Sequence, residues 1–175
     1  MSAGVGGHCT QDYVPPGFTT VALNAPQYAR GAGCGMCVYA CFDNLELGQG
    51  ERCLEAIVDD ECPECASGDL DLGESGSGRW HVDWKVIQCA SSPLMFSTQG
   101  SNPYYAKVKA QGGPSSVTAM TCNGMEGLLT PDAFFVFQSG SGQFACGMDC
   151  VVTFSNGFGS AAGRVTPGQL GNMCT

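Results

Sequence analysis

The chain reads as an all-β protein, and three observations say so. Glycine supplies 26 of the 175 residues and charged residues only 13%, too few charges for the polar faces of long surface helices. Apolar runs are short, and Gly or Pro punctuates them. No stretch keeps the 3.6-residue spacing of a long amphipathic helix. Short apolar segments between frequent turns belong to sheets rather than to bundles. At this length the chain buries one sizeable core or two small ones.

Residues 1–20 begin irregularly, with Gly4, Gly6, Gly7 and a Pro15-Pro16-Gly17 turn around one short extended piece at 9–13. Residues 18–23 carry the β-branched content of a strand. Asn24-Ala25-Pro26-Gln27-Tyr28 predicts one helical turn before the glycines at 31, 33 and 35. Strands follow at 37–42 and 52–58, joined by a turn over 44–51. In the second of them Leu54, Ala56 and Val58 alternate with Glu55 and Asp59. The chain then turns through Cys62-Pro63-Glu64-Cys65 and Ser67-Gly68, and finishes on Leu70 and Leu72 with Asp71 facing the other way. After a flexible loop at 74–78, Trp80, Val82, Trp84 and Val86 alternate with His81, Asp83 and Lys85. That alternation is a half-buried strand, with both tryptophans turned toward the core.

Ala90-Ser91-Ser92-Pro93 is a linker and divides the chain into domains at 1–89 and 94–175. Beyond it, short runs at 94–98, 104–110, 116–122, 133–138, 144–146 and 150–155 predict a small sandwich.

The net charge of −9 is uneven. Residues 1–89 hold thirteen acids against Arg30, Arg52, Arg79 and Lys85, while residues 90–175 hold three acids and three cations. An acidic surface argues against nucleic acid and anionic membranes as partners. No apolar run approaches the roughly 18 residues of a membrane span.

Twelve cysteines remain to be explained. Cys34-Gly-Met-Cys37 and Cys62-Pro-Glu-Cys65 fit a zinc ribbon, and either pair alone fits a redox motif. Four zinc ligands would leave eight cysteines over, so a disulfide framework in an oxidising compartment is the better account. The cysteines divide eight and four at the linker, so each half can close its own bridges. His8 and His81 are too isolated to argue for a metal, and no cofactor is expected. No secretory signal precedes Cys9, so the chain reads as a mature or recombinant form of a secreted protein, and it is expected to be monomeric.

Asp59, Asp60, Glu61, Glu64, Asp69 and Asp71 fall within thirteen residues with no cation among them. Such a cluster is either a solvated loop or a site whose members differ in pKa. Val58, Asp60, Pro63, Gly68, Leu70, Asp71 and Leu72 match, without a gap, a Val-x-Asp-x-x-Pro-x-x-x-x-Gly-x-Leu-Asp-Leu pattern. This resembles the expansins and their microbial relatives. Residues 31–41 are similar to that family's Cys-Gly-x-Cys segment, and residues 84–89 to its domain-closing strand. Residues 99–108 resemble the segment that carries two adjacent aromatics in its cellulose-binding domain.

The resemblance implies a six-stranded double-psi β-barrel followed by an immunoglobulin-like β-sandwich. It also implies the bridges Cys9–Cys34, Cys37–Cys89, Cys41–Cys53 and Cys62–Cys65. Cys122, Cys146, Cys150 and Cys174 keep three possible connectivities.

Asp71 takes the position that expansins share with the general acid of the related family-45 endoglucanases. A carboxyl held against Leu70 and Leu72, near Asp60, would have its pKa raised and could donate to a glycosidic oxygen. Thr10 is the candidate hydrogen-bond partner. Inverting hydrolysis needs a second carboxylate roughly 6.5–9.5 Å away. Four residues after Thr10, where those enzymes keep it, this chain has Val14, with Asp12 nearby.

The implied activity is therefore non-enzymatic: binding and loosening of cell-wall polysaccharide, whether cellulose, xyloglucan, another β-glucan or chitin. One alternative is a weak endo-β-1,4-glucanase with Asp71 as acid and Asp12 or Asp60 as base. The other is a barwin-like binding or inhibitor module without loosening. Tyr104 and Tyr105, with Phe134 and Tyr13, are the candidate sugar-binding aromatics, because flat sugar faces bury well on rings. Bacterial relatives carry Trp at both tyrosine positions and a further aromatic where this chain has Asp132. Glu61, Glu64 and Asp69 read as solvent-facing charge.

Overall fold

The computed structural model describes residues 7–44, 49–72, 80–90 and 92–171. In the first half, β1 (Thr19–Asn24), β2 (Cys37–Asn44), β3 (Gln49–Cys62), β4 (Leu70–Leu72) and β5 (Val82–Ile87) form one sheet, ordered β4-β1-β3-β2-β5. The β1–β3 pair is parallel and the other pairs are antiparallel. One helical turn, α1 (Ala25–Tyr28), follows β1. Asn24 caps it by accepting from the Gln27 amide at 3.1 Å, and Pro26 occupies its first turn. One face of the sheet buries Val21, Leu23, Val38, Ala56 and Val58 with Tyr28. Ile57 turns the other way and packs with Cys37, Cys89, Val14, Phe18 and Ile87.

In the second half, β6 (Met95–Thr98), β7 (Tyr105–Gln111), β8 (Val117–Cys122), β9 (Met125–Glu126), β10 (Leu128–Leu129), β11 (Phe135–Gln138), β12 (Met148–Phe154) and β13 (Ser160–Val165) make two four-stranded sheets. Their orders are β10-β11-β7-β6 and β13-β12-β8-β9. Ala106, Val108, Phe135 and Phe137 from one sheet meet Met120, Met148, Val152 and Phe154 from the other in a single core. The protein is all-β, as the turn-rich composition predicts.

Three local expectations need correction. Residues 144–146 form a turn rather than a strand, because Gly142 and Gly147 at positive φ reverse the chain on either side of buried Phe144. β13, with its Ser-Ala-Ala-Gly start, has little strand propensity and forms because six of its residues pair with β12. β3 runs on through Asp59, Asp60 and Glu61, because β1 pairs with Asp60, Glu61 and Cys62 beyond an irregularity at Asp59. The half-buried reading of the tryptophan strand stands. Trp80 stacks on Phe42 with centroids 5.6 Å apart, and Trp84 Nε1 donates to Gly68 O at 2.7 Å.

The structure bonds Cys9 to Cys34, Cys37 to Cys89, Cys41 to Cys53 and Cys62 to Cys65, the pairs the resemblance implies. The four thiols of the alternative zinc ribbon are thus all taken up in bridges. Cys122 joins Cys150, its register partner across β8 and β12, with Cα atoms 4.1 Å apart. Cys146 is also disulfide-bonded, and Cys174 lies outside the described residues.

Replacing Cys122 and Cys150 together by alanine is expected to destabilise the chain by about 2–4 kcal/mol. Chemical denaturation of the double variant checks this, and an unchanged midpoint would mean that the β8–β12 pairing needs no staple.

Candidate functional site

Strand register brings the two featured carboxylates together. Ala22 of β1 pairs with Asp71 of β4 on one side and with Asp60 of β3 on the other. Residues in register point to the same face, so Asp71, Ala22 and Asp60 form one rank across three strands. The residue between the two acids is a small alanine. Two strand spacings separate them, about 10 Å at the backbone.

The register shifts between Val21 and Ala22, and Asp59 is the extra residue on β3. The freed backbone is served by the N-terminal segment. Cys9 N donates to Asp59 O at 2.9 Å, and His8 N donates to Asp60 Oδ1 at 2.7 Å. Gly7 allows this close pass, since a Cβ there would overlap Asp59 O and crowd Asp60 Cβ. The Glu61 amide also donates to Asp60 Oδ1, at 2.9 Å. His8 Nδ1 lies 3.9 Å from Glu61 Oε2.

The buried carboxyl is Asp59, not Asp71. Asp59 is 6% exposed, and burial, with Asp60 beside it, raises its pKa from 3.8 to about 6; a bond from Thr20 acts the other way. Asp71 is exposed, on a strand whose Leu70 and Leu72 turn to the core behind it. The expectation of an apolar setting for Asp71 is thus corrected: in a sheet, apolar neighbours one residue away face the opposite side.

Thr10 is held elsewhere. Its hydroxyl and its carbonyl accept from Lys109 Nζ, which also bonds Cys9 O. Lys109 is 1% exposed, and burial lowers its pKa to about 8 despite Asp12 and Asp132 nearby. Asp12 is likewise engaged by the second half: its amide donates to Gln111 Oε1 at 2.9 Å, and Gln111 Nε2 returns a bond to Asp12 Oδ2 at 2.8 Å. Tyr13 lines a cavity of about 30 Å³ beside Gln11, Lys109, Gln111 and Ser115, room for one water.

The aromatic candidates separate as well. Phe134 is 7% exposed and lies under two ammonium groups, Lys109 at 4.4 Å and Lys107 at 4.6 Å from its centroid. Its covered ring presents no free face to a sugar. Tyr104 is 58% exposed in the turn before β7, its ring beside Gly142. Tyr105 is half-buried at the head of β7, in the row of Lys107, and its partner across the pair is Gln138. Lys107 Nζ bonds Asp132 Oδ2 at 2.6 Å and Gln99 Oε1 at 2.7 Å. Burial acts to raise the Asp132 carboxyl, but bonds from Lys107 and Thr130 outweigh it and hold the pKa below the usual range.

Among the described residues, no group of three or more His, Cys, Asp or Glu side chains is arranged to hold a metal ion. No helix described is long and apolar enough to cross a membrane.

No protein-family model matches the chain, and no curated protein matches it. Solved structures do. A Clavibacter michiganensis expansin without ligand superposes with a TM-score of 0.69 at 19% identity, over 95% of this chain and 86% of that one. A point-mutant form of that expansin, in complex with cellohexaose, gives 0.70 at 18%, over 95% and 85%. The chain is expansin-like in fold.

The raised Asp59 pKa carries a pH signature. The folded state holds a proton that the unfolded chain has already released. Stability from this group is therefore full below about pH 4 and is lost as pH rises through about 6. Asp59→Asn, which stays neutral throughout, is expected to be more stable than the parent at pH 7 by on the order of 2 kcal/mol and level with it at pH 4. Denaturation curves at the two pH values decide it, and a gap independent of pH would refute the assignment.

Proposed function

We propose that this is a secreted, two-domain protein of the expansin type that binds a β-linked glucan and loosens its network without hydrolysis. In this reading the first half is a double-psi barrel and the second an immunoglobulin-like sandwich. The parallel β1–β3 pair, the one among the described residues of the first sheet, and the two-sheet core of the second half support that division. The five bridges among described cysteines support an oxidising, extracellular setting.

The observation that carries the proposal is a series of contacts that leads from Asp60 across the junction to the strand that bears Tyr105. Asp60 bonds the His8 amide, and the His8 ring lies 5.9 Å from that of Tyr28. Tyr28 bonds Pro131, next to Asp132, and Asp132 bonds Lys107 in the row of Tyr105. A glucan engaged at the two ends of this series would meet carboxylates that accept from its hydroxyls at one end and a ring that covers a sugar face at the other. A similarly folded expansin is known with cellohexaose, which favours cellulose-type chains over chitin. Gripping one chain this way replaces its contacts with neighbouring chains, which is loosening without bond cleavage.

The carboxylate chemistry favours the non-hydrolytic form. Asp60 Oδ1 already accepts two backbone N–H bonds, Asp12 is tied to Gln111, and Val14 packs in the apolar cluster around Ile57. None of the three is a ready base for water. The roughly 10 Å rank spacing, close to the range used by inverting enzymes, keeps a weak endo-glucanase as the second reading.

Two outcomes test these readings. In a sensitive reducing-end assay on soluble β-glucan the parent is expected to release nothing above background; turnover that vanishes in Asp71→Ala would install the glucanase instead. In pull-downs on insoluble cellulose, Tyr104→Ala/Tyr105→Ala is expected to weaken binding roughly tenfold. Undiminished retention by that variant would remove the tyrosines from the site.

A further inference from the structure

The two halves meet through contacts between residues far apart in sequence, and Tyr28 of the first-half core makes one of them. Tyr28 is fully buried, and its hydroxyl donates to Pro131 O at 2.7 Å. Its phenol lies against the Cys9–Cys34 bridge, with Cys34 Sγ 3.2 Å from the oxygen. Burial pushes the phenol pKa up, and Glu61, Asp60 and Asp132 add to the shift, so the O–H remains a donor at ordinary pH. Two of those acids come from the first half and one from the second, so Tyr28 sits where the halves' like charges face each other.

Three residues on, Gly31 has φ +96, and a Cβ there would stand 2.6 Å from Thr130 O and 3.0 Å from Pro131 O. The first half therefore touches the 130–131 turn with backbone. Elsewhere along the junction stand Lys109 on Cys9 and Thr10, the two-way Asp12–Gln111 pair, and a bond from Cys89 N to Pro114 O at 2.9 Å.

We infer that Tyr28 is a positioning residue that fixes the register between the halves, so that one extended glucan chain is held at the Asp60–Asp71 rank and at Tyr105 together. This rests on the polysaccharide reading above. The Tyr28 bond anchors Pro131; Asp132 follows it in sequence and holds Lys107, and Tyr105 stands in the same row. With the register fixed, engagement of the second half becomes intramolecular once the first has bound. A preset geometry also removes the ordering cost that a free linker would impose. An oligomer too short to reach both halves gains nothing from the arrangement, so its signature is a dependence on chain length.

The test is titration calorimetry of the full chain against a ladder of cello-oligosaccharides from the disaccharide upward. The parent is expected to show a step in affinity of at least about tenfold once an oligomer spans both halves. Tyr28→Phe keeps the ring in the core and removes only the bond to Pro131. It is expected to bind short oligomers within about twofold of the parent and to lose most of the step. Gly31→Ala pries at the same turn from a different residue and should flatten the step likewise, which covers the case of a Phe variant that fails to fold.

A full step in both variants, a parent without a step, or an equal loss at every length would overturn the positioning role and leave the polysaccharide reading standing. A parent that binds no oligomer and no insoluble cellulose would overturn the polysaccharide reading itself.

Discussion

Much of this structure hangs on β1, the strand squeezed between β3 and β4. It pairs parallel to β3 and antiparallel to β4, and thereby joins two segments of the same acidic stretch that sequence distance would keep apart. A parallel partner cannot arrive through a tight hairpin, so β1 has to come from upstream of β2. That requirement sets where Asp60 and Asp71 stand. Ala22, small and central, is the residue between them.

The bulge on β3 is the second consequence of that pairing. Inserting Asp59 bends the strand and turns its carbonyl toward Cys9, which draws the N-terminal segment over the site. The same insertion puts a carboxyl where solvent barely reaches. Burying it costs stability above its raised pKa, a local rule broken beside the candidate site.

The junction between the halves is built from polar groups that have left water. Lys109 is desolvated, yet its ammonium meets two carbonyls, a hydroxyl and the Phe134 ring. Each such group is costly unpaired and modestly favourable when satisfied, so the contacts specify one arrangement more than they add affinity between the halves.

Sequence alone determined the all-β class, the strands with clean alternation and the single turn of helix. Those follow from local periodicity and turn chemistry, which act within a few residues. The resemblance motif pointed to Asp60 and Asp71, and register then set them on one face. What local pattern could not reveal was side-chain environment. Asp71 came out exposed and Asp59 buried, because an extra residue in β3 shifts the register and no periodicity announces it. Phe134 and Thr10, read as site residues, are both engaged by Lys109, and Tyr28 and Lys109 emerged as the centre of the junction. The Thr10–Lys109 and Tyr28–Pro131 contacts join residues about a hundred apart in sequence, and only the folded chain decides which side chains share a low-dielectric space.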